Sequence, residues 1–279
     1  MEQVVKSIED IQLTSRVKEH LEITYKDYQI FLEELCKLDD KTLTYFLKTL
    51  KDRELINNQE TELEDTFLME LYRYRQRKDS IEIVTGLFED GIITIEEIKK
   101  LHRVVIKGST DDVQKNYNYR SDNDKWVGGY GTSGDIRVDY YPPDYKEVIA
   151  LMSQTLEFLN SNLETGDLNH ILVKPFIVHG AIAYIQPFGN GNTRLSRVLQ
   201  HGKIWQMTNN SLGTNLSLPV LYLSKNYLMT RPKYRNLIKQ IATEQNWNAW
   251  IDYNLDMTDE QLYFSNSKLQ SVKKIVLKK

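Results

Sequence analysis

The sequence predicts an all-α protein with one small β-hairpin. Three observations carry that expectation. Six prolines in 279 residues leave long uninterrupted stretches. Apolar residues recur at three- and four-residue spacing through most of the chain, as on amphipathic helices. Period-two alternation at Ile136-Arg137-Val138-Asp139-Tyr140, beside a cluster of glycines, marks the hairpin.

From the N-terminus, residues 16–38 and 40–56 read as amphipathic helices, with Asp39-Asp40 as break and cap. Cys36 falls on the apolar stretch Phe31 to Leu38 and is expected to be buried packing. Residues 57–65 are polar and acidic, either a linker or the start of another helix. Residues 1–90 are therefore expected to be an N-terminal helical extension. Thr94 followed by Glu97 has the form of a capping box opening the next helix. Glycines 128, 129, 131 and 134 flank the turn of the hairpin, and Pro142-Pro143 ends it. Residues 144–160 and 167–185 return to helix. A further helix runs from Asn192 to about Met207, with Leu195, Val198, Leu199 and Gly202 on its inner face. Residues 219–256 add two or three helices containing Trp247 and Trp250. The span 91–260 reads as the main domain and 261–279 as a C-terminal basic helix or tail.

Composition bounds the function. Apolar residues make up 41%, enough for a real core. The net charge of −3 gives no reason to expect nucleic-acid binding, which needs a basic surface. A lone cysteine excludes an internal disulfide and a cysteine metal site, and fits a reducing compartment. The charged start lacks the apolar run of a leader, and no segment approaches the ~20 apolar residues of a membrane span. A cytoplasmic protein without a membrane partner is expected.

The stretch Gln186-Pro187-Phe188-Gly189-Asn190-Gly191-Asn192-Thr193-Arg194-Leu195-Ser196-Arg197 carries the chemistry. Gly189 and Gly191 let backbone N–H groups point into one concavity. That nest leads into a helix N-terminus, where unpaired N–H groups and the helix dipole favour an anion. Arg194 and Arg197 are three apart, on one face of the first turns, and guanidinium binds phosphate through paired hydrogen bonds. The competing reading is a glycine turn followed by a helix with surface arginines.

The stretch resembles the Fic family motif H-P-F-x-(D/E)-G-N-G-R-x-x-R, matching at Pro187, Phe188, Gly191, Asn192, Arg194 and Arg197. The resemblance extends over roughly residues 95–255. Leu101-His102, Tyr119-Arg120 followed by Val127-Gly128, Tyr141-Pro142-Pro143, Leu221-Tyr222-Leu223-Ser224 and the Trp247–Trp250 helix occur in the family's order. It implies a Fic-fold helical bundle with a small hairpin flap. It also implies transfer of AMP from ATP, with Mg²⁺, to a Ser, Thr or Tyr hydroxyl of a target protein. In that scheme the motif His is general base and the acidic residue holds Mg²⁺. The Asn and the loop N–H groups position the α-phosphate, and the two arginines take the β- and γ-phosphates. Carried over, the nucleotide grip is Phe188, Gly189, Asn190, Gly191, Asn192, Thr193, Arg194 and Arg197. The flap that docks the target by strand pairing is Gly128, Gly129, Ile136 and Val138.

Three residues depart from the pattern. Gln186 stands where the base would be, and an amide does not titrate near neutral pH. Losing a general base costs ~10²–10⁴-fold in rate, so little or no transfer is expected. Asn190 stands where the acid would be and is a weak metal ligand at best. Thr193 replaces a glycine. Gln186 is read either as a substitution that traps an inactive form or as the mark of a non-catalytic module that binds nucleotide or protein. His179 and His201 are expected to be packing residues rather than replacement bases. The family's inhibitory helix, (S/T)-x-x-x-E-(G/N), has four partial matches, Ser15/Glu19, Thr66/Glu70, Thr85/Glu89 and Ser153/Glu157, none followed by Gly or Asn.

Overall fold

The computed structural model describes residues 8–60, 81, 83–89, 91–106, 117–130, 135–161 and 166–276. Their helices are α1 (Ser15–Cys36), α2 (Asp40–Glu60), α3 (Ile95–Ile106), α4 (Val148–Asn160), α5 (Val173–Ile185), α6 (Asn192–Leu212), α7 (Ser224–Met229), α8 (Arg231–Glu244) and α9 (Trp247–Val276). Residues 83–89 are helical as well. Strands β1 (Val127–Tyr130) and β2 (Ile136–Tyr140) pair antiparallel, with a register shift between Val127 and Gly128. A Cβ on Gly128 would lie 2.0 Å from the Arg137 carbonyl oxygen, so the irregular pairing requires glycine there. The fold is the helical bundle with a small hairpin that the sequence predicts.

Helix α5 is the axis of the bundle. All thirteen of its residues are buried, and α4, α6, α8 and α9 surround it. A helix apolar on every side has to sit inside other helices. Gly180 lets α9 approach: a Cβ there would come within 2.7 Å of Trp250 Nε1, which donates to the Phe176 carbonyl at 2.7 Å.

Thr14 caps α1 by accepting from the Val17 N–H. Its buried stripe, Val17, Leu21, Thr24, Tyr28, Phe31, Leu32 and Leu35, has helical spacing and packs on α9. Each large apolar side chain so buried contributes about 1.5–3 kcal/mol. The N-terminal helices thus share one continuous core with the rest of the bundle. Polar contacts run along the same seam: Arg16 and His20 reach Asp252, His20 also reaches Asp259, and Lys273 reaches Glu34. Helix α9 crosses residue 260 without a break, so the division expected there falls inside one helix.

Cys36 corrects the expectation of burial. It is the last residue of α1 and its thiol is exposed, because Leu35 takes the inward direction and the helix then stops. The capping box at α3 forms as the spacing requires: Glu97 accepts from the Thr94 N–H at 2.6 Å and Thr94 Oγ1 from the Glu97 N–H at 3.3 Å. Helix α6 runs to Leu212, five residues past the expected end, where Gly213 takes the left-handed conformation that closes it. Among the described residues, no helix is long and apolar enough to cross a membrane.

Candidate active site

The loop between α5 and α6 is built by its own side chains. Gln186 ends α5 in the left-handed region (φ 49°, ψ 59°), with its N–H on the Ile182 carbonyl. That conformation is uncommon away from glycine and turns the chain sharply. Asn192 staples the turn. Its Oδ1 accepts from the Phe188 N–H at 2.8 Å, and its Nδ2 donates to the Phe188 carbonyl and to Gln186 Oε1, both at 2.9 Å. Gln186 Nε2 in turn donates to the Ala183 carbonyl at 2.7 Å. The Tyr140 hydroxyl, from the flap, donates to that same carbonyl at 2.8 Å.

Two further residues pin the loop from outside. His102 of α3 stacks on Phe188 with ring centroids 3.7 Å apart, and its Nε2–H donates to the Asn190 carbonyl at 2.8 Å. Burial holds its pKa down at about 4, so the ring is neutral at pH 7. Arg120 is buried between loop and flap. Its backbone N–H donates to the Pro187 carbonyl at 2.8 Å, its Nε to Gln186 O at 3.1 Å, and its Nη2 to the Pro143 carbonyl. Gly191 (φ 75°) passes so close to α3 that a Cβ would lie 2.3 Å from Ile106 Cγ2.

The loop opens on a cavity of about 470 Å³, a size that suits a small-molecule ligand. Asn190, Gly191, Asn192 and Thr193 form one wall at the N-terminus of α6, where backbone N–H groups lack helical partners. Gln186 and Arg197 also line it. Arg231 and Arg235, one turn apart on α8, line it as well, with Lys125 from the segment before β1. Asp124 is the carboxylate among these lining residues. Gly128, at the bulge of the flap, completes the rim.

The structure sorts the residues named from sequence into two groups. Gln186, Asn190, Gly191, Asn192, Thr193, Arg197 and Gly128 come together around the cavity. Phe188, Gly189 and Arg194 do not line it. Phe188 is fully buried beneath His102, and Arg194 is 1% exposed within the protein. Phe188 and Arg194 are buried in the base of the loop, whereas Gly189 is exposed beside the cavity residues. Both arginines are buried, and of the two Arg197 lines the cavity. The surface-arginine alternative fails, because Arg197 is itself 3% exposed. On the flap, Ile136 is exposed and Val138 half-buried.

His179 and His201 are packing residues. His179 lies between Gln200 Oε1 and the Tyr234 hydroxyl, fully buried, with its pKa lowered to about 3 by desolvation and the Arg197 charge. His201 Nε2 accepts from the Leu223 N–H, and burial lowers its pKa as well.

Of the four inhibitory-helix matches, Thr66/Glu70 lies outside the described residues. Glu89 is exposed and lines a different cavity with Lys203 and Trp205. Glu19 and Glu157 are exposed on their helices. Glu54 of α2, which no spacing match selected, is the buried carboxylate that feels Arg197. It accepts from Ser224 Oγ and stands 3.5 Å from His201 Nδ1. Burial raises its pKa to about 8, against the opposing pull of Ser224 and Arg197. Lys125, Arg231, Arg235, Arg120 and Glu54 were assigned no role from sequence. Arg231 and Arg235 had a signal in their four-residue spacing on a helix, and Arg120 stood in a matched pair. Glu54 had none.

Comparison with known proteins agrees with this geometry. Residues 92–201 match the model of the Fic/DOC family. The chain is 28% identical over 170 residues to the protein adenylyltransferase Fic of Drosophila willistoni, covering 61% of this chain and 28% of that protein. The Aedes aegypti protein of the same name is 26% identical over 174 residues, covering 62% and 29%. The chain thus spans less than a third of the length of these curated relatives. Among solved structures, a Fic family protein from Desulfovibrio desulfuricans G20 superposes with a TM-score of 0.66 at 16% identity, over 92% of this chain and 76% of that one. A Fic domain containing signaling protein from Bacteroides thetaiotaomicron gives 0.62 at 14%, over 91% and 97%.

Proposed function

We propose, from the match of residues 92–201 to the Fic/DOC family model, that the cavity of this chain binds ATP for AMP transfer to a protein hydroxyl, with the transfer step disabled at Gln186. The observation that carries the reading is that the helix N-terminus at Asn192 and the side chains of Arg197, Arg231 and Arg235 line one cavity. Oriented N–H groups and several guanidinium groups around one space suit a polyphosphate. Phosphoryl-type transfer is mostly positioning and charge stabilisation, and this site has the parts for both.

The base is what the site lacks. Gln186 lines the cavity, but its amide donates to Ala183 and its carbonyl accepts from Asn192. Such a group holds the turn and removes no proton. That observation also favours a second reading, a non-catalytic module that binds nucleotide or protein. Docking of an extended target segment on the flap is supported by a sheet that has two strands among the described residues and by the exposed Ile136 on β2. A cytoplasmic site of action belongs to the same proposal.

Calorimetry with ATP and AMP-labelling after Gln186→His separate the readings. Binding with rescued transfer supports the transferase. Binding without rescue supports the module. Absence of ATP binding removes the nucleotide reading altogether.

A further inference from the structure

Farther along α6, a second cavity of about 720 Å³ is lined by Lys203 and shares no lining residue with the first. Its walls are fixed by their own contacts. Gly202 lets the helical residues 83–89 lie on α6: a Cβ there would come within 2.7 Å of Phe88 Cε2. Trp205 Nε1 and Asn209 Nδ2 both donate to the Leu216 carbonyl, at 2.6 and 3.0 Å. Lys203 is 7% exposed. Its Nζ donates to Gln206 Oε1 at 2.8 Å and lies 5.7 Å from the centre of the Phe88 ring. Lys174 of α5 is buried as well and also donates to neutral oxygens, Ser161 Oγ at 2.8 Å and Asn169 Oδ1 at 3.1 Å. Burial holds the pKa of each ammonium down at about 8, and the like charge of Lys174 adds to the effect at Lys203. Among the described residues these two buried cations meet neutral partners, without the counter-charge that burial calls for.

We propose that this second cavity binds a small organic anion, a carboxylate or phosphate on a hydroxylated body, with Lys203 as the cation that holds it. The site stands apart from the nucleotide reading and does not depend on it. An anionic group beside a buried ammonium pairs more strongly than it would in water, and it supplies the charge that Lys203 lacks. Asn210, Asn215 and Ser217 line the same cavity and are exposed. Amides and hydroxyls both donate and accept, which suits the hydroxyl groups of a neutral body. Glu89 is the lining carboxylate among the described residues, and it is exposed. It disfavours a second anionic group, so one charged end at Lys203 and a neutral remainder is the ligand these side chains fit. The volume suits a small molecule rather than a protein segment.

The test is calorimetry of the whole chain, without nucleotide, against gluconate, glucose 6-phosphate and, as neutral control, glucose. Tighter binding of either anion than of glucose supports the proposal, and the anion preferred tells carboxylate from phosphate. Lys203→Met should weaken that binding by about tenfold, the scale of one charge-assisted hydrogen bond, while Tm holds or rises, since the variant removes a buried charge. Ser217→Trp, at an exposed lining position, should weaken it too without touching the core, and it decides alone if Lys203→Met fails to fold. Anions bound no better than glucose overturn the proposal. Unchanged anion affinity in Ser217→Trp and in a folded Lys203→Met overturns it as well, since the anion then sits elsewhere and Lys203 serves packing alone.

Discussion

Asn192 Nδ2 donates to Gln186 Oε1 at 2.9 Å, so the residue in the base's place is fastened to the first residue of the helix it faces. The contact uses the glutamine carbonyl, while the Ala183 carbonyl takes its amide. Gln186→His should therefore both remove a staple and introduce a titratable ring at the cavity. AMP incorporation into an added protein acceptor should rise by about 10²–10⁴-fold. Equal labelling by the unmodified chain and the variant would mean that another group serves as base.

Arg120 is the residue whose removal should loosen the site most. It holds carbonyls of the loop at Gln186 and of the segment leaving the flap at Pro143. Arg120→Met leaves those buried acceptors without a donor, at a cost of about 2–4 kcal/mol. Urea denaturation measures the loss. Arg120→Lys should recover part of it, since one ammonium replaces a fork of donors. A loss below about 0.5 kcal/mol for Arg120→Met would show that the clamp is dispensable.

Glu54 should give the fold a pH slope. Burial raises its carboxyl from 4.5 to about 8, Ser224 and Arg197 opposing. The folded state holds that proton more tightly than the unfolded chain does. The resulting stabilisation is complete below pH 4.5 and is lost as pH rises through about 8. Glu54→Gln cannot ionise, so its Tm advantage over the unmodified chain should grow by several degrees from about pH 5 to about pH 8. A difference that stays flat across that range would place the ionised form in the fold.

His20 should act in the same direction, its window opening at 6.5 rather than 4.5. Burial lowers its pKa, but hydrogen bonds and charge from Asp252 and Asp259 outweigh that, and the net shift is upward from 6.5. Its contribution is present below 6.5 and fades as pH rises through the raised folded value. His20→Gln should lower Tm more at about pH 5.5 than at about pH 8.5. The opposite order would rule out a charged imidazolium bridging the two aspartates.

What the sequence made legible was whatever repeats within a few residues. Helical spacing placed α1, α5 and α6, the Thr94–Glu97 pair marked the start of α3, and alternation found β2. The loop was legible because its glycines, its Asn192 and its helix start are neighbours in the chain. Residues whose partners lie far away were not. Arg120 meets Gln186 and Pro187 across more than sixty positions. Glu54 meets Ser224 across 170.

Helix α9 joins two of these distant places. In its first turn Trp250 is bonded to the Phe176 carbonyl of α5, and its last turns hold Glu34 of α1 through Lys273. Thirty residues of continuous helix make a rod about 45 Å long. Anything that grips the outer side of α1 and α9 thereby gains a stiff handle on α5, whose far end is Gln186. The N-terminal helices thus buttress the loop through α9 and α5.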